Sequence, residues 1–137
     1  MDNTLDIFKP VFVQAIMMML IACWLVWARV GSAVRGKVDM RDVVKNGWPR
    51  GWIKNSGDNF DNQYQVPLLF IAVCIIAFVT AQADHNLVLL AWAFVALRIV
   101  HAAIHLTFNH ILMRFSAFLA STLILFAMII KLALAVF

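Results

Sequence analysis

The fold class this sequence predicts is an all-α integral membrane four-helix bundle, and three observations carry it. The 137 residues are 64% apolar and 13% charged, with a mean hydropathy of +0.90, whereas a soluble domain runs near ~25% charged and ~45–50% apolar. Uncharged runs long enough to cross a hydrocarbon core of about 30 Å recur along the whole chain. Alternating barrel-type patterning is absent, and backbone groups in lipid must find partners within their own segment, which leaves helices. Such spans use up nearly all the residues, so a separate soluble catalytic domain is excluded. The chain reads as one domain, 1–137, with any chemistry inside the bundle or on one loop.

The first span is predicted over 10–28, the uncharged stretch between Lys9 and Arg29. Asp2 and Asp6 on its near side, and the absence of an A-x-A-like site before Arg29, argue against a cleaved signal peptide. Residues 29–57 follow as a loop that holds all five glycines, Pro49 and seven of the eleven Lys and Arg residues, against Asp39 and Asp42. The positive-inside rule puts this basic loop in the cytoplasm and both termini, with the Asp84-His85 turn, on the opposite face. Trp24, Trp27, Trp48 and Trp52 suit the aromatic belt at the interface, and membrane lipid headgroups are the plain partner for such a loop. The second span is predicted over 60–83, with Asp58 or Asn59 as its helix cap and a kink at Pro67. The third covers 86–109 and the fourth 114–136. Cys23 and Cys74 fall in apolar runs, where cysteine behaves as a small hydrophobe. The cations are too dispersed for a nucleic-acid surface, so no nucleic-acid partner is expected.

Polar residues inside the spans are the candidates for function. Arg98, His101, His105 and Asn109 share one face of the third span at helical spacing. A charged Arg near a helix centre costs at least ~2.5–3.5 kcal/mol, so Arg98 must point into the bundle toward a partner, either as a helix cross-link or as a ligand anchor. His101 and His105 stand i, i+4, but no third ligand follows from the sequence, and no metal is expected. Asn59, Asn62 and Gln63 share a face at the start of the second span, where amides can bind one another, Arg98 or a polar ligand.

The order of these features, Asn62-x-x-Gln65-Val-Pro67 opening the second span, Arg98-x-x-His101 in the third and Arg114 opening the fourth, resembles the MAPEG family of membrane-associated proteins in eicosanoid and glutathione metabolism. The resemblance covers nearly the whole chain and is nearest in kind to small bacterial members, which implies a bacterial inner membrane with both termini periplasmic. It also implies a homotrimer of four-helix protomers, with glutathione held between subunits towards the cytoplasmic side and joined to a lipophilic small molecule or used in peroxide reduction. Polar stripes too extensive for one protomer to satisfy point the same way. Carried over, Asn62 and Gln65 match the Asn and Glu of the family's R-x-x-x-N-x-x-E pattern, Arg98 the Arg that this Glu partners, and His101 follows in register. Arg114 matches the Arg that opens span four and is the candidate catalytic residue. Arg29 is a looser match to a ligand-facing Arg, and His105 joins the binding set.

The pattern's first Arg is Asp58 here, Asp61 precedes Asn62, its Glu is Gln65, and the span-four Tyr is Phe118, with Phe115 where some members carry Ser. Two readings therefore stand: a glutathione-dependent transferase or peroxidase in which Arg114 stabilises the thiolate, and a non-catalytic trimeric membrane protein that binds lipid or a protein partner.

The charge asymmetry generates a direct expectation for topology. A cytoplasm-active reporter is expected to work in residues 35–50 and fail at either terminus; activity at the C-terminus with none in the loop would reverse the orientation.

Overall fold

The computed structural model describes residues 4–136, and every regular element among them is helical. A 3₁₀ turn at Thr4–Ile7 leads into α1 (Phe8–Val34); α2 (Met40–Asn46) lies in the connection to α3 (Trp52–Gln63); α4 (Val66–Val79), α5 (His85–Leu106) and α6 (Ile111–Val136) complete the bundle. Four segments are long and apolar enough to cross a membrane: Thr4–Val34, Trp52–Val79, His85–Leu106 and Ile111–Val136. The expected four-span all-α architecture is present, with α3 and α4 sharing the second span. Asp2 and Phe137, at the outer flanks of the first and last spans, lie outside the described residues.

The helices overrun the uncharged runs. The first continues through Arg29 to Val34, and α3 already begins at Trp52, so the predicted loop 29–57 shrinks to residues 35–51 with α2 inside it. A helix need not stop where the hydrocarbon does, because Arg and Lys are good helix formers whose long stems carry the charge to the interface. The expected cap at Asp58 or Asn59 is not formed. Gly51, at φ 105°, precedes the first turn of α3, while Asp58 pairs with Lys54 at 2.7 Å within the helix and Asn59 is buried.

At Pro67 the structure shows a break rather than a kink. Gln65, at φ −99° and ψ −96°, leaves the helical region, and Pro67 falls in the first turn of α4, where its missing N–H is no loss. The second span also ends earlier than predicted, at Val79. Ala81 adopts φ 56°, so its N–H reaches the Phe78 carbonyl at 3.0 Å and the Gln82 N–H reaches that of Ala77 at 2.8 Å. These two bonds close the last turn.

Packing divides the bundle along its length. In one half Ile7, Val11, Phe70, Cys74, Phe94, Leu125, Met128 and Leu132 form an apolar core, with the Phe70 and Phe94 rings stacked at 4.3 Å. In the other half Gln14, Asn59, Gln63, Arg98, His101 and His105 are buried. Bulky apolar side chains such as Phe12, Ile16, Leu123 and Phe126 stay uncovered on the outside, as suits a protein whose surroundings are lipid.

At the apolar end Asp84 ties two spans together. Its Oδ1 accepts the Leu87 N–H at 2.8 Å, capping α5, and its other carboxylate oxygen accepts from Lys131 of α6. The Lys131 hydrogen bond, helped by the Leu87 N–H and opposed by partial burial, holds the Asp84 carboxyl below its ordinary value of 3.8. A depressed folded-state pKa contributes stability above that ordinary value and loses it as pH falls through the folded value. Asp84→Asn is accordingly expected to be less stable than wild type at pH 7, the gap closing below about pH 4 as the wild-type carboxylate protonates. Asp84→Ala, which also removes the cap, should cost about 1 kcal/mol; melting in detergent across pH measures both.

Candidate functional site

The polar half of the bundle is organised by the break in the second span. In an unbroken helix the Asn62 carbonyl would accept the N–H of residue 66. Because α3 ends at Gln63, that carbonyl instead accepts Nη2 of Arg98 at 3.0 Å. Arg98 is fully buried, yet its Nε and Nη1 meet no acceptor among the described residues. Its guanidinium lies 5.9 Å from the centre of the Phe118 ring. The expected partnership with Gln65 is not made, for Gln65 is exposed in the break.

On the same face of α5, His101 Nδ1 lies 3.0 Å from the Arg114 carbonyl. A carbonyl can only accept, so Nδ1 carries the proton and Nε2 of the neutral ring presents a lone pair. That Nε2 is buried and without a partner among the described residues. His105 stands edge-on to His101 at 5.8 Å, and neither of its ring nitrogens is bonded. Arg114 is oriented by its own turn: Nη1 donates to Asn109 Oδ1 at 2.7 Å, with Asn109 held at φ 46°.

Of these groups His101 and Arg114 line a cleft of about 260 Å³, whereas Arg98 and His105 are buried and do not line it. Its polar wall is Asn62, His101 and Arg114, and its apolar wall is Ile111, Leu112, Phe115 and Phe118. Ligand pockets commonly run ~300–1,000 Å³, so this cleft falls just below that range. The Asn62 amide is engaged with the Asp58 carbonyl at 2.7 Å, and its backbone is what serves Arg98.

A second polar chain had only part of its signal in the sequence. Gln14 Nε2 donates to Gln63 Oε1 at 3.3 Å, and Gln63 Nε2 donates to Asn59 Oδ1 at 3.2 Å. Both ends are unmet, at Gln14 Oε1 and Asn59 Nδ2. Asn59 and Gln63 belong to the predicted amide face, whereas Gln14 was marked only by being an amide in an otherwise uncharged run.

Asn62, Arg98, His101, His105 and Arg114 thus come together; Arg29 does not join them. Its guanidinium lies 4.8 Å from the centre of the Trp48 ring and fills the space beside Gly57, where a Cβ would come within 2.5 Å of Nη2. Arg29 locks α1 against α3. The exposed Tyr64 packs on Phe60 at 4.6 Å and does not line the cleft.

A family model described as the MAPEG family matches residues 7–134. No curated protein and no solved structure matches the chain.

Arg98 is expected to be a structural tie as well as a donor. Arg98→Leu would strand the Asn62 carbonyl, a loss of about 1–3 kcal/mol, and Lys should restore little because it lacks the planar fork. Thermal melting of the purified protein decides: an unchanged or raised midpoint for the Leu variant shows that no such tie exists.

Proposed function

The chain belongs to the MAPEG family, and from that premise we propose that this integral membrane protein is a glutathione-dependent transferase or peroxidase acting on lipophilic electrophiles. The carrying observation is Arg98, a fully buried cation with two unspent donor nitrogens and no carboxylate bonded to it among the described residues. A buried charge demands compensation, and a carboxylate of glutathione would provide it.

The donor set suits a small acidic peptide. Arg98 Nε and Nη1 can give hydrogen bonds, while His101 Nε2 can receive one, as a ligand carrying both carboxylates and N–H groups requires. Glutathione, when bound, supplies the nucleophilic thiol. The positive charge of Arg114 on the cleft wall favours thiolate over thiol, and the lone pair of His101 Nε2 is an acceptor for the released proton. Ile111, Leu112 and Phe115, exposed on the cleft's other wall, offer a lipophilic substrate a path from the bilayer.

The cleft's modest size supports a site completed by a neighbouring copy in a homotrimer, in which exposed Gln65 would face the adjoining subunit. The basic loop supports a cytoplasmic ligand face, with both termini periplasmic in a bacterial inner membrane. A second reading, a non-catalytic trimeric protein binding lipid or a partner, is favoured by Phe115 and Phe118, which put carbon on the cleft wall where a hydroxyl would assist the thiol.

Glutathione added to purified wild-type protein at one hundred times its Kd should stabilise it by about 2.7 kcal/mol. Arg98→Leu should lose that response. Arg114→Ala should keep much of the binding but lose conjugation or peroxide reduction. Stabilisation without turnover on any electrophile or peroxide selects the non-catalytic reading, and no response in wild type removes glutathione altogether.

A further inference from the structure

His105 is 1% exposed and does not line the cleft, yet both its ring nitrogens lack partners among the described residues. It stands one turn along α5 from His101, the two rings edge-on with centres 5.8 Å apart, a gap that one bridging water spans. His105 also falls in the last turn of α5, where the free carbonyl ends of the helix favour a positive charge.

The charged and titratable groups in electrostatic reach of His105 come from three helices: His101 on α5, Arg114 on α6, and Asp58 and Lys54 on α3. The membrane-crossing part of α1 adds none, because no charged residue stands between Lys9 and Arg29. Asp58 is the acid in this set. It pairs with Lys54 at 2.7 Å, and its side chain is 44% exposed. A route from the buried ring to water therefore runs past a carboxylate.

A proton taken from a glutathione thiol by His101 needs such a route. Nδ1 of that ring is committed to the Arg114 carbonyl at 3.0 Å, which leaves Nε2 to take the proton and to give it up. The proton has no resting place there, since the positive charges of Arg98 and Arg114 both act on His101 and like charges repel. Ile111, Leu112, Phe115 and Phe118 form the apolar wall of the cleft and offer no group to carry it away.

We propose, resting on the glutathione reading, that His105 is the proton exit of the site. The thiol proton accepted by His101 Nε2 passes through one water to a ring nitrogen of His105, whose other nitrogen hands a proton to the Asp58 carboxylate and so to bulk water. One S–H bond breaks and the sulfur keeps the electron pair. Both imidazoles return to the neutral form, and nothing is oxidised or reduced. His105 acts through His101 and holds no part of the ligand.

The test is stopped-flow mixing of the full chain with glutathione in weakly buffered detergent solution. Ultraviolet absorbance follows the thiolate, a pH indicator follows released protons, and thermal melting reports binding. Wild type should release one proton for each thiolate formed. His105→Gln and Asp58→Asn should both keep the glutathione-induced rise in melting temperature but slow proton release about a hundredfold. Added imidazole should restore the Asp58→Asn rate, because that position opens to solvent. Release at the wild-type rate in either variant overturns the exit, as does slowed release that comes with lost glutathione stabilisation and no response to imidazole. Wild type that binds glutathione without releasing a proton overturns the exit while binding stands. Wild type with no response to glutathione removes the underlying reading and the exit with it.

Discussion

An arginine buried among membrane-spanning helices needs an acceptor, and here the acceptor is a carbonyl released by a break in the neighbouring helix. Pro67 cannot donate to the ladder, and α3 stops at Gln63 while α4 restarts at Val66. The interruption leaves the Asn62 carbonyl open to Arg98 Nη2. Irregular backbone is tolerated at membrane depth only where the protein itself satisfies the freed groups. The break and the buried cation therefore answer each other's deficits, and the rest of the polar half is arranged around them.

That exchange is incomplete, and its remainder gives the region its chemical character. Arg98 keeps two unspent donor nitrogens, His101 keeps a lone pair at Nε2, and the chain from Gln14 through Gln63 to Asn59 ends in unmet atoms. Each such group costs free energy that an apolar core would not incur. The opposite half, built on Phe70, Phe94 and Met128, carries no such debt. Apolar packing is concentrated at one end of the bundle and unpartnered polar atoms at the other. Arg29 extends this division by fastening α1 to α3 through the space that Gly57 leaves open.

The departures from the family pattern also become intelligible physically. With Gln in place of Glu at position 65, no carboxylate among the described residues pairs with Arg98, and a backbone carbonyl takes over the structural part of that task. A carbonyl is dipolar rather than charged, so the positive charge of Arg98 meets no opposite charge among the described residues. Asp58, standing where the pattern has Arg, is drawn instead into a pair with Lys54 one turn away on α3.

Composition and spacing were sufficient to determine the class of fold, the number of spans and the shared face of Arg98, His101 and His105, because lipid permits few ways to satisfy a backbone and helical periodicity sets which side chains lie together. The amide face of Asn59, Asn62 and Gln63 was legible for the same reason. Helix ends were not legible from uncharged runs, since a helix starts or stops where its hydrogen bonding changes, as after Gly51 and before Ala81, rather than where hydrocarbon ends. Partner choice was not legible either. Whether Arg98 meets the Gln65 side chain or the Asn62 carbonyl depends on whether Pro67 bends or breaks its helix, and whether Arg29 joins the site or locks α1 to α3 depends on the room beside Gly57. Both are contacts between helices distant in sequence, and only the packed bundle decides them.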